Sequence, residues 1–596
     1  MQEDPNQITY FAQTNARGKE QPFGIKRRDR ARHMYVIGKT GMGKSTLLEN
    51  MAIQDIRNGE GIAFIDPHGS TADRIMEYVP EHRVKDVVYF APFDMDYPVA
   101  FNVMEDVGYD KRHLVVSGLL SAFRKIWVDA WSARMEYILS NTLLALLEYE
   151  GSTLLDVNRM LINKHFRKKV VDNVTDPIVK SFWVDEFANY TDRYTQDATP
   201  AIQNKVGQFT SNPLIRNIVG QAKSSFDIRQ IMDEKKILII NLSKGRVGEV
   251  NATLLGSMIV TKIYLAAMSR ADVPLAIMNG LPNFYFYVDE FQNFANESFS
   301  DILSEARKYK LNLLIAHQYV EQMEEEVRDA VFGNVGTTVA FRVGPFDAEV
   351  LETVFNPQFT ATDLVNLGFA QIYLTLMIDG VGSPPFSATT LPPFDAPPQS
   401  FVEQTLASSR AQFGKSRAQV EEDIKKWNEA DLPPELSKPK NEFTPSGERI
   451  KKPVFKAPAS VPVSRPTAVV HTEERKPISS PSTHIPRVEE PKHAQPPIQH
   501  IDPRPATSPT PRPTIPPQPF KPPLDGAKSL REALASVTNK KVETYPIHAP
   551  DLKEALRSVG SEVPKTQDST EEKKNTELST DQMRKMLSVE EFDEKS

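Results

Sequence analysis

The chain has no cysteine among its 596 residues. That excludes disulfides, thiolate metal sites and cysteine nucleophiles, and leaves any chemistry to carboxylates, amides and cations. Long apolar runs are missing too. The nearest approach, Leu254 to Met268, is broken by Lys262 and by serine and threonine, so it falls short of the ~18 uninterrupted residues of a membrane span. The opening residues Met1-Gln2-Glu3-Asp4-Pro5 lack the basic head and apolar body of a signal peptide. No direct membrane span is expected, and the expected location is cytoplasmic, at most peripheral at the inner face of the cell membrane. Nor is there an excess of positive charge: a formal net charge of -7 rules out a globally basic nucleic-acid binder. Any such contact must come from local patches or a lined channel. The basic clusters Lys26-Arg27-Arg28 and Arg167-Lys168-Lys169 read as solvated faces.

What is present is more specific. Gly38-Lys39-Thr40-Gly41-Met42-Gly43-Lys44-Ser45 is a complete G-x-x-x-x-G-K-[ST] loop. It follows the apolar run Met34 to Ile37 and precedes the helix-favouring stretch that begins at Thr46. A strand feeding a glycine-rich turn feeding a helix presents backbone N–H groups and a positive helix end to a polyphosphate. Lys44 is expected to reach the β- and γ-phosphates, and Ser45 to ligate Mg²⁺. The loop reads phosphates and not the base, so ATP is the expected nucleotide while GTP stays open.

Phe284 to Val288 is an apolar strand that ends in Asp289 and Glu290. In the same sheet as a phosphate loop, Asp289 is expected to hold the Mg²⁺ shell and Glu290 to orient the attacking water. Leu313 to Ala316 is a further buried strand with His317 and Gln318 at its carboxyl end, where ligands of open α/β sheets bind. Ser304 to Tyr309 reads as a helix that ends just before it.

Up to about Phe394 short apolar strands alternate with helical stretches, the sign of a parallel sheet flanked by helices. The expected strands are 34–37, 62–65, 87–90, 237–241, 284–288, 313–316, 338–342 and 372–376. Between the third and fourth lies an almost wholly helical interval in which Met135, Ile138, Leu139, Leu143 and Leu146 recur at helical spacing. The expected fold class is therefore α/β: a P-loop core (20–108 and 233–395) with an inserted all-helical domain (109–232), then a helical extension (396–430). Beyond this a proline-rich, disordered linker (431–527) leads to short helical docking motifs (528–596), because such composition cannot bury enough apolar surface to offset its ordering entropy.

The order of the phosphate loop, Ile65-Asp66-Pro67-His68-Gly69, Val288-Asp289-Glu290-Phe291, Ala306-Arg307-Lys308-Tyr309 and Ala316-His317-Gln318 resembles the FtsK/HerA superfamily of P-loop motors. Within it the chain most resembles the coupling-protein ATPases of type IV secretion and conjugation, over residues 20 to 395. The resemblance implies a RecA-like core and a homo-hexamer with ATP at its subunit interfaces, moving DNA through a central channel. It makes Arg307 a candidate arginine finger for a neighbour's site, with Arg32 a weaker candidate and Arg342 an open alternative, and it makes Gln318 a γ-phosphate sensor. Secretion-channel or relaxosome proteins are the partners implied for the C-terminal tail. Coupling proteins usually carry N-terminal membrane helices, and this chain shows none, so docking to a channel is expected to need a separate anchor. Two other readings remain: an ATPase driving protein secretion or pilus assembly, and a nucleotide-dependent scaffold whose tail recruits partners.

Overall fold

The computed structural model describes residues 4–429 apart from 16–17, 192, 195–197 and 296–297. The proline-rich linker and the docking motifs expected beyond it lie outside the described residues.

Seven strands form the parallel part of one sheet: β3 (Met34–Ile37), β4 (Gly61–Asp66), β5 (Val87–Phe90), β6 (Ile237–Asn241), β7 (Phe284–Val288), β8 (Leu311–His317) and β9 (Thr337–Ala340). Their runs are apolar almost throughout because both faces are covered. The side chains divide by alternate position. Tyr35, Ile37, Ile65, Leu238, Phe286 and Ile315 face one buried layer, while Val36, Phe64, Ile239, Tyr287 and Leu314 face the other. The second layer is closed by the helices α1 (Lys44–Arg57) and α2 (Ser70–Glu77).

The first layer is closed by the long helix Glu249–Met268 and by α3 (Arg112–Ile126), and it continues without a break into the helical interval between β5 and β6. There α4 (Ala133–Leu147) buries Met135, Ile138, Leu139, Leu143 and Leu146, and Thr142 satisfies its hydroxyl on the Ile138 carbonyl at 2.7 Å. Glu249–Asp272 is the one helix among the described residues long and apolar enough to cross a membrane, but 78% of its apolar window is buried inside the fold. Its composition is that of a core helix packed on the sheet.

The sheet differs from the expected parallel one on its other side. The strands β10 (Gln371–Thr375), β13 (Phe386–Thr390), β1 (Ile8–Thr14) and β2 (Pro22–Lys26) extend it antiparallel beyond β9, giving the order β2-β1-β13-β10-β9-β3-β8-β7-β4-β6-β5. A separate hairpin joins β11 (Met377–Ile378) to β12 (Val381–Gly382). The core therefore begins before residue 20, with Phe11 and Ala12 of β1 fully buried. The expected strand 338–342 ends at Ala340, which leaves Arg342 past its carboxyl end. The expected helix 304–309 is split: the α-helix stops at Glu305 and Ala306–Tyr309 is a 3-10 turn.

Candidate active site

The order of the central strands decides what meets at the site. The phosphate loop leaves the carboxyl end of β3, Asp289 and Glu290 leave that of β7, and β8 runs between them and ends at His317-Gln318. All three ends open on the same edge, so residues far apart in sequence converge.

The loop is pinned to both strands that flank β3. The N–H of Gly38 donates to the His317 carbonyl at 3.2 Å, and that of Lys39 to the Arg342 carbonyl at 2.8 Å. Gly41 and Gly43 take positive φ of +77° and +115°, which only glycine adopts without strain, and Gly43 starts α1. Met42 accepts from the Ala370 N–H at 3.3 Å, and Thr46 lies half-buried in the first turn of α1. Lys44 folds back beneath the loop. Its ammonium donates to the Gly38 carbonyl at 2.7 Å and stands 3.8 Å from the Glu290 carboxylate. Burial lowers the Lys44 pKa, against the opposing pull of Glu290 and Asp289.

The Ser45 hydroxyl donates to the Asp289 carboxylate at 2.9 Å. Asp289 is 2% exposed. Burial first, and then the nearby Asp66, raise its pKa to about 6, although the Ser45 bond works the other way. Asp66 is itself spent on α2, where it accepts the N–H groups of Thr71 and Ala72 at 2.9 and 3.0 Å. Glu290 has a left-handed backbone, φ +48° and ψ +53°, unusual for a residue with a side chain. Its carboxylate accepts from Gln292 Nε2 at 2.6 Å, and its carbonyl from Asn293 Nδ2 at 2.8 Å. Gln318 reaches across from β8 to donate to the Thr40 hydroxyl at 2.6 Å. Beneath it His317 is fully buried, with Nδ1 3.1 Å from the Tyr35 hydroxyl. Burial, then the charges of Lys44 and Lys125, push its ring down to about 3, so it is neutral at physiological pH.

The three arginines singled out from sequence do not cluster. Arg342 lies beside the phosphate loop of its own chain, since its carbonyl holds Lys39. Arg307 is exposed in the turn that precedes β8, at the opposite edge of the sheet. Seven strand residues separate it from the site edge, a span of about 20 Å. Arg32, also exposed, ends the turn before β3 on that same far edge. Arg307 lines an open cleft of about 820 Å³ together with Arg27, Arg28, Lys235 and Lys310.

Of the clusters read as solvated, Arg27 differs. It is buried and paired with Glu60, while Lys26 and Arg28 share Asp379. Lys168 pairs with Asp172 at 2.9 Å, and Arg167 is half-buried and donates to the Met160 and Leu161 carbonyls. Sequence reasoning set Asp66 in a motif without giving it a role, and missed Gln292 and Lys125. Asp66 ends a buried strand; Gln292 directly follows the acid-pair motif, and Lys125 sits on a helix whose apolar period (Val115, Leu119, Phe123) marks the packed face and not the amine.

The family model for the type IV secretion-system coupling protein DNA-binding domain matches residues 22–352, more than half of the chain. The chain belongs to this coupling-protein family. Membership makes it a P-loop nucleoside triphosphatase of the type IV secretion and conjugation class. No curated protein matches this coupling protein by sequence. Solved structures similar to it include the bacterial conjugative coupling protein TrwBdeltaN70 in an unbound form (TM-score 0.47, 14% identity, covering 63% of this chain and 88% of that one). Plasmid coupling protein TrwB in complex with ADP and Mg²⁺ gives a TM-score of 0.48 at 14% identity, covering 67% and 99%. VirB4 of Thermoanaerobacter pseudethanolicus gives 0.41 at 12%, covering 67% and 99%.

Proposed function

We propose that this coupling protein is an ATP hydrolase that assembles as a homo-hexamer and couples turnover to DNA translocation in conjugative transfer. The observation that carries the reading is the contact of Ser45 with Asp289, flanked by Lys44, Glu290 and Gln318 at one sheet edge. The donor set fits Mg²⁺: a hydroxyl and a carboxylate already in contact supply two hard oxygens, and this cation takes its remaining ligands from phosphate and water. Bound there, Mg²⁺ with ATP supplies the charge neutralisation and leaving group that phosphoryl transfer needs.

The protein's own residues do the positioning. The loop from Gly38 to Ser45, continued by Thr46, presents its N–H groups to the phosphates, and the Lys44 ammonium exchanges its Gly38 carbonyl for them. Glu290, held by Gln292, orients and polarises water; Gln318 reports on the γ-phosphate end of the loop through Thr40. Arg307, at the far edge, completes a neighbour's site, whereas Arg342 belongs to the cis side. The family's DNA-binding domain supports DNA as the moved polymer. The tail would serve secretion-channel or relaxosome partners.

The test is steady-state ATP hydrolysis by the purified protein with and without single- or double-stranded DNA, with Glu290→Gln as the blank. Stimulation by DNA that vanishes in the variant is expected. DNA-independent turnover would point to a protein-secretion motor, and nucleotide binding with negligible turnover to a scaffold. Lys44→Ala is expected to weaken nucleotide binding at least tenfold, about 1.4 kcal/mol, whereas Glu290→Gln binds ATP normally and stalls. Fluorescent-nucleotide titration separates the two.

A further inference from the structure

The turn behind Glu290 is held from two directions. From the core, Lys244 donates to Asn293 Oδ1 at 2.7 Å, and Asn293 donates to the Glu290 carbonyl. From the helical interval comes Lys125, in the last turn of α3. Its ammonium donates to the carbonyls of Gln292, at 2.6 Å, and Ala295. Gln292 then donates through its side chain to the Glu290 carboxylate. A single amine on a helix that belongs to the insertion thus closes the turn that aims the carboxylate.

The placement of α3 is firm on both sides. Gly118 lies against Thr261 of the long core helix, where an added Cβ would stand 2.3 Å from Thr261 Cγ2. At its carboxyl end Phe123 stacks on Trp127 at 4.6 Å, and Arg124 pairs with Glu136 of α4 at 2.8 Å. Glu136 also accepts from the Trp131 indole at 2.7 Å. A displacement of α4 is coupled to the end of α3, and therefore to Lys125, through the Arg124–Glu136 pair.

On the reading of Glu290 as the residue that prepares water, we infer that Lys125 is a positioning residue that transmits the placement of the helical insertion to the Glu290 carboxylate through Gln292. Side-chain residues hold a left-handed backbone only where the surroundings over-determine it, and the two lysines supply that constraint. An error of about 1 Å at a positioned group costs as much as about a hundredfold in rate, so the device needs only a small displacement of α3 to gate turnover.

The charge on Lys125 is poised. Burial lowers its pKa to about 8; Glu324, before the helix Glu325–Asn334, opposes that and Lys244 adds to it, while the neighbouring His317 ring is neutral. Below about pH 8 both bonds to carbonyls are charge-assisted; above it the neutral amine makes weaker ones. The expected profile therefore loses turnover as pH rises through that value.

The experiment compares full-length wild type with Lys125→Met, Lys125→Arg, Gln292→Leu and Glu290→Gln. Turnover, affinity for a non-hydrolysable ATP analogue and amide exchange in the turn 291–295 are followed. Lys125→Met should lower kcat about tenfold, leave analogue affinity within about twofold and speed exchange at Phe294 and Ala295. Lys125→Arg should recover most of the turnover and remove the alkaline limb, because a guanidinium stays charged. The double variant Lys125→Met with Gln292→Leu should be no slower than the worse single one. Should Lys125→Met fail to fold, Gln292→Leu carries the test with the same kcat-only loss expected. Normal kcat in these variants while Glu290→Gln stalls overturns the inference alone, as does a loss of affinity matching the loss of rate. Normal turnover by Glu290→Gln overturns the reading of the site beneath it.

Discussion

At Asp289 burial works against the charge that the site requires. Folding raises its pKa from 3.8 to about 6, first through burial and then through Asp66. A raised carboxyl stabilises the fold while it is protonated, so its contribution is fully present below about pH 4 and is lost as pH rises through about 6. At neutral pH the cation-free protein therefore holds an unfavourable carboxylate, which a bound cation offsets. The same sign governs affinity: below about pH 6 a proton competes with Mg²⁺, and the apparent Mg²⁺ affinity measured in the presence of nucleotide should fall about tenfold per pH unit. Asp66→Asn removes part of the repulsion and should move the midpoint of that fall to lower pH. An unmoved midpoint would show that burial and Glu290, and not Asp66, set the shift. Lys44 and Glu290 stand 3.8 Å apart, so until phosphates arrive the carboxylate opposes the loss of charge that burial favours at Lys44.

Among the elements, α1 must start where the loop ends, and its far end is fixed by charge as well as by packing. Arg30, from the turn before β3, makes a two-pronged pair with Asp55 of α1 at 2.6 and 2.8 Å, and Asp55 also accepts from the Tyr287 hydroxyl of β7 at 2.5 Å. The guanidinium lies 3.6 Å over the Tyr285 ring. Burial alone would lower the Arg30 pKa, but Asp55 and the two tyrosines hold it above its ordinary value. Asp55→Ala leaves that buried guanidinium without its counter-charge and is expected to cost about 3–5 kcal/mol. Equilibrium urea unfolding should show the midpoint fall with the slope unchanged. A cost below about 1 kcal/mol would mean that water reaches Arg30.

The elements also divide into those the sequence reveals and those it hides, for a physical reason. Strands β3 to β8 are covered on both faces, so Met34 to Ile37 or Phe284 to Val288 stand out as unbroken apolar runs. The antiparallel strands β1, β2 and β13 are half-covered; Ile8–Thr14 mixes exposed and buried positions, and Phe386–Thr390 buries only Ala388 and Thr390. Nothing local marks these as strands, because pairing partners nearly 400 residues apart, such as Ala12 with Thr390, supply the reason they form. In the site the loop, the acid pair and Gln318 were legible because each ends a central strand. Lys125 was not, since its meaning comes from where α3 is packed and not from its neighbours in the chain.

For the whole molecule the decisive geometry is that Arg307 and the phosphate loop occupy opposite edges of one sheet. Within a chain they are separated by the length of β8, so no motion short of unfolding joins them. Between chains stacked head to tail the same separation is an advantage, because the far edge of one meets the near edge of the next and a closed ring places an Arg307 at every site. Arg307→Ala should then lower kcat by about a thousandfold or more while nucleotide affinity is nearly unchanged. Mixing separates this from a cis role. Lys44→Ala and Arg307→Ala should each be nearly inactive alone at limiting nucleotide. In a randomly mixed ring about a quarter of the interfaces pair an intact Lys44 with a neighbour's intact Arg307, and hydrolysis should return in that proportion. A cis arginine predicts no recovery at any mixing ratio, since every chain in the mixture carries one defect. Arg342→Ala provides the contrast: Arg342 stands at its own loop through a main-chain carbonyl that alanine keeps, so any activity lost in that variant should not be restored by mixing it with Lys44→Ala.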